Sequence, residues 1–414
     1  NNVKKAIEGI FDFYKMYEQA YFNEFDIQHV LTKLSPCFDA IPCLRNRILE
    51  EEYVLNRMTQ EQSYLLDYLE EQKVAAIQGG AGTGKTMLAL EKARRLSGSG
   101  KVLFLCFNKF LLNMLLKSYS DVLPNVMFAN LQSLIFTKTK NANNISNNDQ
   151  ISAYLMNHAQ EDWHYDHIII DEAQDFFEDH LVLLSVLAQQ FGGCFYVFYD
   201  KNQLVHQKQS SEWFHSFECK LVLSYNCRNT VSIATTSNKP IGIENIKVRV
   251  PVEGEKPILY LANSKEDALI CLPKIIRTFT DNGLRKEEIV ILTVKTEEAS
   301  FLYGVSSVGN YKLVSDVNHA GILFTSARKY KGLESKAIII VDFDERTFLN
   351  EEARRVLYVG ASRAKHSLNI LGIMDAQQLS EVAAILKGQK TINAKLTISS
   401  QLKVRIVDAT TVSV

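Results

Sequence analysis

The chain has 414 residues, 46% apolar and 22% charged, the balance of an ordinary soluble globular protein with room for two or three domains. Its 46 Lys and Arg against 47 Asp and Glu leave a formal charge of −1. No global basic field therefore steers it to nucleic acid, and any such binding needs a local channel.

The 7 cysteines (37, 43, 106, 194, 219, 227 and 271) form no CxxC pair and no zinc spacing. They read as reduced thiols of a cytoplasmic protein. The sequence shows no secretory signal peptide and no apolar run long enough to cross a bilayer, so no membrane role is expected. The first residue is Asn1 rather than Met, as expected of a fragment or a processed product.

Residues 1–57 read as a small helical region. IEGIFDFYKMYEQAYF is followed by a turn at Ser35-Pro36 and then by RNRILEEEYVLNRM. The region carries no catalytic spacing and is expected to be a cap or the remnant of a preceding domain. From residue 58 short apolar strands alternate with amphipathic helices, the pattern of a doubly wound α/β lobe with a parallel sheet. Strands are predicted at Val74–Ile77, Val102–Phe107, Val126–Ala129, His167–Ile170 and Cys194–Tyr199. NANNISNN at 141–148 reads as a surface loop. A second α/β series spans 221–376, with strands at Ile258–Leu261, Ile289–Thr293, Gly321–Phe324, Ala337–Val341 and Ser367–Leu371. The region 377–414 ends in KLTISSQLKVRIVDATTVSV. Its alternation predicts a β-rich tail that pairs at a sheet edge or with a partner chain.

Within 58–220 the most informative segment is VAAIQGGAGTGKTMLALEKARRL. A strand runs into Gly79-Gly80-Ala81-Gly82-Thr83-Gly84-Lys85-Thr86, and a helix follows directly. G-x-x-x-x-G-K-T needs glycines because backbone N–H groups must wrap closely around phosphate oxygens. The helix N-terminus adds its partial positive charge. Lys85 is expected on the β- and γ-phosphates and the Thr86 hydroxyl on Mg²⁺. HIIIDEAQD then brings Asp171 and Glu172 to the carboxyl end of a buried strand, where open α/β sheets bind ligands. Asp171 is expected to hold Mg²⁺ and Glu172 to activate the attacking water.

GGAGTGKT followed by DEAQD resembles motifs I and II of superfamily 1 helicases of the UvrD/Rep type. The other family motifs appear in order over residues 58–371. Met58-Thr59-Gln60-Glu61-Gln62 resembles the adenine-reading Q motif, with Gln62 as the reader. Cys106-Phe107-Asn108-Lys109 resembles motif Ia, and Phe198-Tyr199-Asp200-Lys201-Asn202-Gln203 resembles motif III, with Gln203 as γ-phosphate sensor. Leu223 to Thr230 (LSYNCRNT) resembles motif IV, whose arginine is Arg228. Ser326 to Glu334 (SARKYKGLE) resembles motif V, with Glu334 near the ribose or γ-phosphate. Leu357 to Lys365 (LYVGASRAK) resembles motif VI, with Arg363 as a second arginine finger. The resemblance implies two RecA-like lobes in tandem that hydrolyse ATP with Mg²⁺ in the cleft between them. It also implies a single-stranded DNA partner, touched by Asn108, Lys109, Gln132, Ser326 and Arg328.

The chain departs from the family at several points. Cys227 stands where a base-stacking tyrosine is usual, so either the base is gripped more weakly or Tyr225 substitutes, and Tyr199 stands where motif III opens with glycine. The tryptophan stretch after motif III is missing; His206 or Trp213 is open as its replacement, though each reads first as a packing residue. About 60 residues separate motifs Ia and II and about 95 separate motifs IV and V, too few for the large insertions that split duplexes. A minimal motor is expected. The compact form is also similar to helicases joined to a nuclease-related domain, although residues 1–57 hold no D…ExK constellation. Two alternatives stay open: an RNA-directed member of the superfamily, and a nucleotide- and nucleic-acid-gated switch that regulates a partner nuclease.

Overall fold

The computed structural model describes residues 63–139, 148–157, 163–203, 210–244, 246–248, 252–316 and 320–412, together with Lys5, Glu8, Gly9, Ile48 and Glu51. Gln62, His206, most of the expected N-terminal helical region and all of the Asn-rich run but Asn148 lie outside them. The chain divides into two compact units, Asn1–Cys43 and Leu44–Val414. Of the first, Lys5, Glu8 and Gly9 are helical. Both α/β lobes belong to the second.

In the first lobe the strands are β1 (Val74–Gly79), β2 (Val102–Cys106), β3 (Val126–Ala129), β4 (His167–Asp171), β5 (Phe195–Tyr199) and β6 (Lys220–Leu223). They form one sheet in the order β3-β2-β4-β5-β1-β6, and every pairing is parallel. Helices α1 (Lys85–Leu96), α2 (Lys109–Tyr119), α3 (Leu131–Thr139), α4 (Asn148–Asn157), α5 (Glu178–Gln190) and α6 (Ser210–His215) connect them. Both faces of the sheet are covered. Val102, Phe104 and Cys106 pack into one hydrophobic cluster, while Leu103 and Leu105 of the same strand pack into another. That alternation explains the unbroken apolar run VLFLC.

A small pair follows, β7 (Tyr225–Asn226) and β8 (Lys247–Val248), with α7 (Val231–Asn238) between them. The second lobe contains β9 (Ile258–Ala262), α8 (Lys265–Asp281), β10 (Ile289–Thr293), β11 (Ser307–Val308), β12 (Tyr311–Val314), β13 (Ile322–Ser326), β14 (Ser335–Phe343), α9 (Glu351–Ala361), β15 (Ala364–Ile373), α10 (Ala376–Lys387), α11 (Ala394–Leu402) and β16 (Arg405–Asp408). Its sheet runs β11-β12-β13-β10-β14-β15-β9-β16, parallel apart from the β11–β12 hairpin. The expected α/β class with two RecA-like lobes is the observed one.

Two sequence expectations need correction. The boundary at 221 falls inside β6, which pairs with β1 and belongs to the first sheet. The tail is not β-rich, because α10 and α11 take most of it. In KLTISSQL the buried residues Ile398 and Leu402 are four apart, a helical spacing. The Asn393 side chain also accepts the Leu396 N–H and starts a helix. Among the tail's described residues only β16 is a strand, and it does pair at the sheet edge, parallel to β9.

One hydrophobic cluster runs through both lobes, joining Leu111 of α2 to Ala327, Tyr330 and Leu333 after β13. Gly332 (φ 84°) permits this approach, since a Cβ there would lie 2.9 Å from Leu111 Cδ2.

A pair of adjacent glycines separates two kinds of constraint. Gly192 has φ 69° with open space around it, whereas a Cβ on Gly193 would lie 1.5 Å from the Asp166 carbonyl oxygen. Gly192→Ala should cost about 1–2 kcal/mol from left-handed backbone strain. Gly193→Ala should cost more, because the α5–β5 turn must move off the loop before β4. Thermal unfolding of the two variants checks this, and a larger loss at Gly192 would contradict it.

Candidate active site

The chain leaves β1 through a loop that is short of side chains. Gly82 (φ 75°) and Gly84 (φ 84°) take left-handed backbone. Gly84 starts α1 without a side-chain cap, so the first-turn N–H groups and the positive end of the helix are free to meet an anion. Within the loop, Thr83 Oγ1 donates to the Gly80 carbonyl at 2.9 Å. Lys85 Nζ donates to the carbonyls of Gly79 and Gly80, both at 3.0 Å, and stands 4.0 Å from Asp200 Oδ2.

The second half of the chain supplies further hydrogen bonds to this loop. The Ala81 N–H donates to the Tyr358 hydroxyl of α9 at 3.0 Å. Asn226 Nδ2 donates to the Ala81 carbonyl at 3.3 Å, and the Cys227 N–H donates to the Gly82 carbonyl at 2.9 Å. A Cβ on Gly82 would lie 2.2 Å from Asn229 Oδ1, so only glycine lets these asparagines close. Asn229 Nδ2 in turn donates to the carbonyls of Ser362 and Ala364 at 3.0 and 2.7 Å. Tyr358 also donates to Asp200 Oδ2 at 3.4 Å. Burial, with the Asp200 charge adding to it, pushes the Tyr358 phenol up, so it remains a neutral hydroxyl.

At the end of β4 Asp171 is fully buried. Its Oδ1 accepts the Glu172 N–H at 3.0 Å, and its Oδ2 has no hydrogen-bond partner among the described residues. Burial first, then the Glu172 charge, raises its carboxyl, while the nearby Thr86 hydroxyl and Lys85 pull it back. A buried, unpartnered carboxylate oxygen is costly unless a cation meets it. Together with the Thr86 hydroxyl it is the hard oxygen set that suits Mg²⁺.

Glu172 adopts φ 53° and accepts Gln174 Nε2 at 2.5 Å. Burial would raise its carboxyl, but the charges of Lys331, Lys85 and Arg363, with the Gln174 bond, lower it on balance. Glu172 is therefore ionised at neutral pH. Gln203 is fully buried, donates from Nε2 to Asp200 Oδ2 at 2.8 Å, and keeps an Oε1 with no partner among the described residues.

From the second lobe Arg363 is buried, donates from Nε to the Val359 carbonyl at 3.1 Å, and lies close enough for its charge to act on Glu172. Lys331 Nζ is 3.9 Å from Glu172 Oε2 and bonded to both Asp175 oxygens at 2.7 and 2.8 Å. Arg228 is ion-paired with Glu334, whose carbonyl accepts the Tyr330 hydroxyl at 2.9 Å. Lys85, Thr86, Asp171, Glu172, Gln203 and Arg363 thus gather at the lobe interface, with the Arg228–Glu334 pair beside the asparagines that hold the loop.

Next to this cluster a cleft of about 510 Å³ is lined from both lobes, by Phe107, Asn108, Lys109 and Asp175 on one side and by Glu297 and Arg328 on the other. Of the five strand-contact expectations, Asn108, Lys109 and Arg328 line it. Ser326 is buried just behind, its N–H donating to Glu297 Oε1 at 3.3 Å. Gln132 is exposed on α3 and is not among the lining residues. Asn108 already has structural work, since its side chain caps α2 and donates to the Lys329 carbonyl at 2.8 Å. Trp213 packs against Phe195 and Phe217, in line with its reading as a packing residue.

Sequence reasoning passed over Phe107, which is 56% exposed and set edge-on against Phe176 at 5.9 Å. An exposed aromatic directly after the buried run VLFLC was the available signal. Tyr358, Asp200 and Lys331 were also passed over, because their roles depend on contacts between lobes.

Two segments of the chain match known protein families. Residues 46–191 match the family described as type III restriction enzyme, res subunit, and residues 321–371 match the UvrD-like helicase C-terminal domain. Both matches support the helicase superfamily. Among solved structures, the C-terminal domain of a possible DNA helicase from Lactobacillus plantarum WCFS1 is similar at 20% identity, over 35% of this chain and 87% of that one, with a TM-score of 0.28. A comparison with curated protein sequences finds no match. Helicase-family domains imply a nucleotide-hydrolysing enzyme of helicase or translocase type that binds nucleic acid. No helix among the described residues is long and apolar enough to cross a membrane.

The Tyr358 hydroxyl links the loop of one lobe to the helix of the other at a fully buried point. Tyr358→Phe leaves the Ala81 N–H without its acceptor and should cost about 1–3 kcal/mol. Urea unfolding measures this loss. Stability equal to the parent would contradict the assigned bond.

Proposed function

We propose that the chain is an ATP-dependent single-stranded DNA translocase or helicase, with the nucleotide bound between its two RecA-like lobes. The observation that carries this reading is the convergence of Lys85, Thr86, Asp171, Glu172 and Gln203 from one lobe on Arg363 from the other.

In this reading the Gly79–Thr86 loop takes the triphosphate, with Lys85 turning from the Gly79 and Gly80 carbonyls to the β- and γ-phosphates. Gln62 reads the base, and Glu334 lies toward the ribose. Tyr225, 46% exposed, is available to the base. Cys227 is not, because it is buried and its N–H is bonded to Gly82. Thr86 and Asp171 would hold Mg²⁺, which when bound neutralises phosphate charge.

Glu172 is held ionised by Lys331, Lys85 and Arg363 and takes the proton of the attacking water. Gln203 offers its free Oε1 toward that water. Arg363, and Arg228 once it leaves Glu334, stabilise the charge that gathers on the transferring phosphoryl group. Because Arg363 comes from the second lobe and Arg228 from the segment that leads into it, catalysis requires closure, and hydrolysis weakens it. A strand lying in the adjacent cleft, with bases against Phe107 and backbone near Lys109 and Arg328, would be gripped alternately by two lobes that move.

The second reading is a nucleotide-gated switch for a partner nuclease. It is favoured by the number of contacts that already join the lobes around Ala81 and Gly82.

Steady-state ATP hydrolysis with single-stranded DNA, single-stranded RNA or neither decides between these readings. The expected result is strong stimulation by DNA, with Glu172→Gln lowering turnover by about 10²–10⁴-fold. Greater stimulation by RNA would reassign the substrate. No stimulation by either strand would overturn the motor reading and leave the switch.

A further inference from the structure

The cleft beside the nucleotide site is far less basic than its lysines and arginines suggest. Arg328, Lys329 and Lys331 follow β13 within one turn, and each is already paired with a carboxylate from elsewhere in the chain. Arg328 Nη2 lies 2.9 Å from Glu352 Oε1, Lys329 Nζ 2.8 Å from Glu297 Oε2, and Lys331 Nζ 2.7 Å from Asp175 Oδ1. Glu352 comes from the first turn of α9, Glu297 from the segment after β10, and Asp175 from the segment after β4.

The first two pairs are open to solvent, with side-chain exposures of 37% and 55% for Arg328 and Glu352 and 56% and 23% for Lys329 and Glu297. Exposed pairs of this kind contribute little to folding, so stability does not account for them. They do change the field in the cleft, where each carboxylate cancels a cation that a phosphate would seek. Glu297 is also fixed independently of its lysine. Its Oε1 accepts the Thr325 hydroxyl at 2.7 Å and the Ser326 N–H at 3.3 Å. It therefore stays in the cleft when Lys329 turns away, and its charge continues to act on whatever replaces it.

We propose that Glu297 and Glu352 set the strand affinity of this chain by competing with nucleic-acid phosphate for Lys329 and Arg328. A strand is held only when both cations exchange a carboxylate for a phosphate, so capture is weak in the resting chain. Substrate recognition then depends on the whole cleft, including the Phe107 face and Lys109, rather than on charge alone. This inference rests on the reading of the cleft as the strand site.

The test is the anisotropy of a fluorescein-labelled thymidine oligonucleotide titrated with the full chain, without nucleotide, from about 50 to about 200 mM KCl. Glu297→Gln, Glu352→Gln and the double variant are compared with the parent, and Phe107→Ala serves as a marker of the cleft. Glu297→Gln retains an oxygen for Thr325 and Ser326. Glu352 is exposed, so Glu352→Gln tests the idea alone should Glu297→Gln fold poorly. Each single variant should tighten binding about two- to five-fold at the lower salt. Each should also steepen the dependence of log Kd on log salt by up to about 0.7, because no carboxylate is set free to take up a salt cation as the strand binds. Binding by the double variant where the parent shows none would support the proposal equally. Unchanged or weaker binding in the glutamine variants, with Phe107→Ala still weakening the parent, would overturn the competition and leave the strand cleft standing. Absence of binding in every chain, the double variant included, would remove both.

Discussion

A glycine-rich loop can wrap an anion only if its backbone is bare, and a bare backbone has few contacts with which to hold its own shape. In this chain the second lobe and the small β7–β8 pair before it provide much of the missing support. Tyr358 accepts the Ala81 N–H, Asn226 donates to the Ala81 carbonyl, and the Cys227 N–H donates to the Gly82 carbonyl. The polar groups that shape the loop and the charged groups that act on its ligand thus arrive on the same elements, so the state of the loop and the position of the second lobe are one variable. Helix α9 illustrates this. It carries Tyr358 to the loop, precedes Arg363 at its C-terminal end, and pairs Glu352 with Arg328 of the neighbouring cleft.

The electrostatics follow the same logic. Asp171 and Glu172 are adjacent and buried, so both cannot remain ionised without compensation. Glu172 is compensated by cations from both lobes, whereas Asp171 is left with an oxygen that lacks a hydrogen-bond partner among the described residues. That asymmetry suits two roles, one carboxylate for a cation and one for a proton. The charge state of Glu172 depends on Lys331 and Arg363, which belong to the second lobe, so its environment is completed across the lobe interface.

Much of this was legible in the sequence where the chemistry is contiguous. Gly79 to Thr86 needs a strand before it and a helix after it, and Asp171 needs a strand end; local pattern carries both. The two-lobe α/β architecture followed from short apolar runs buried on both faces. What escaped depends on distance along the chain. No local pattern joins Ala81 to Tyr358 or Lys331 to Asp175, and nothing in KTEEAS announces that Glu297 would sit against Lys329. Asn108, read as a strand contact, is occupied as the cap of α2 and as a bridge to Lys329. The tail misled for another reason. KLTISSQL has the alternation of a strand, but the Asn393 cap and the four-residue spacing of Ile398 and Leu402 make it a helix.

The central claim is that nucleotide and strand act on one shared interface, and linkage between their affinities tests it most directly. The affinity of a fluorescent non-hydrolysable ATP analogue for the Glu172→Gln chain would be measured with and without a saturating single-stranded oligonucleotide, and the reciprocal titration would follow. The structure predicts a shift of at least about five-fold, equal in both directions. Two ligands that both bind, each with an affinity indifferent to the other, would contradict it.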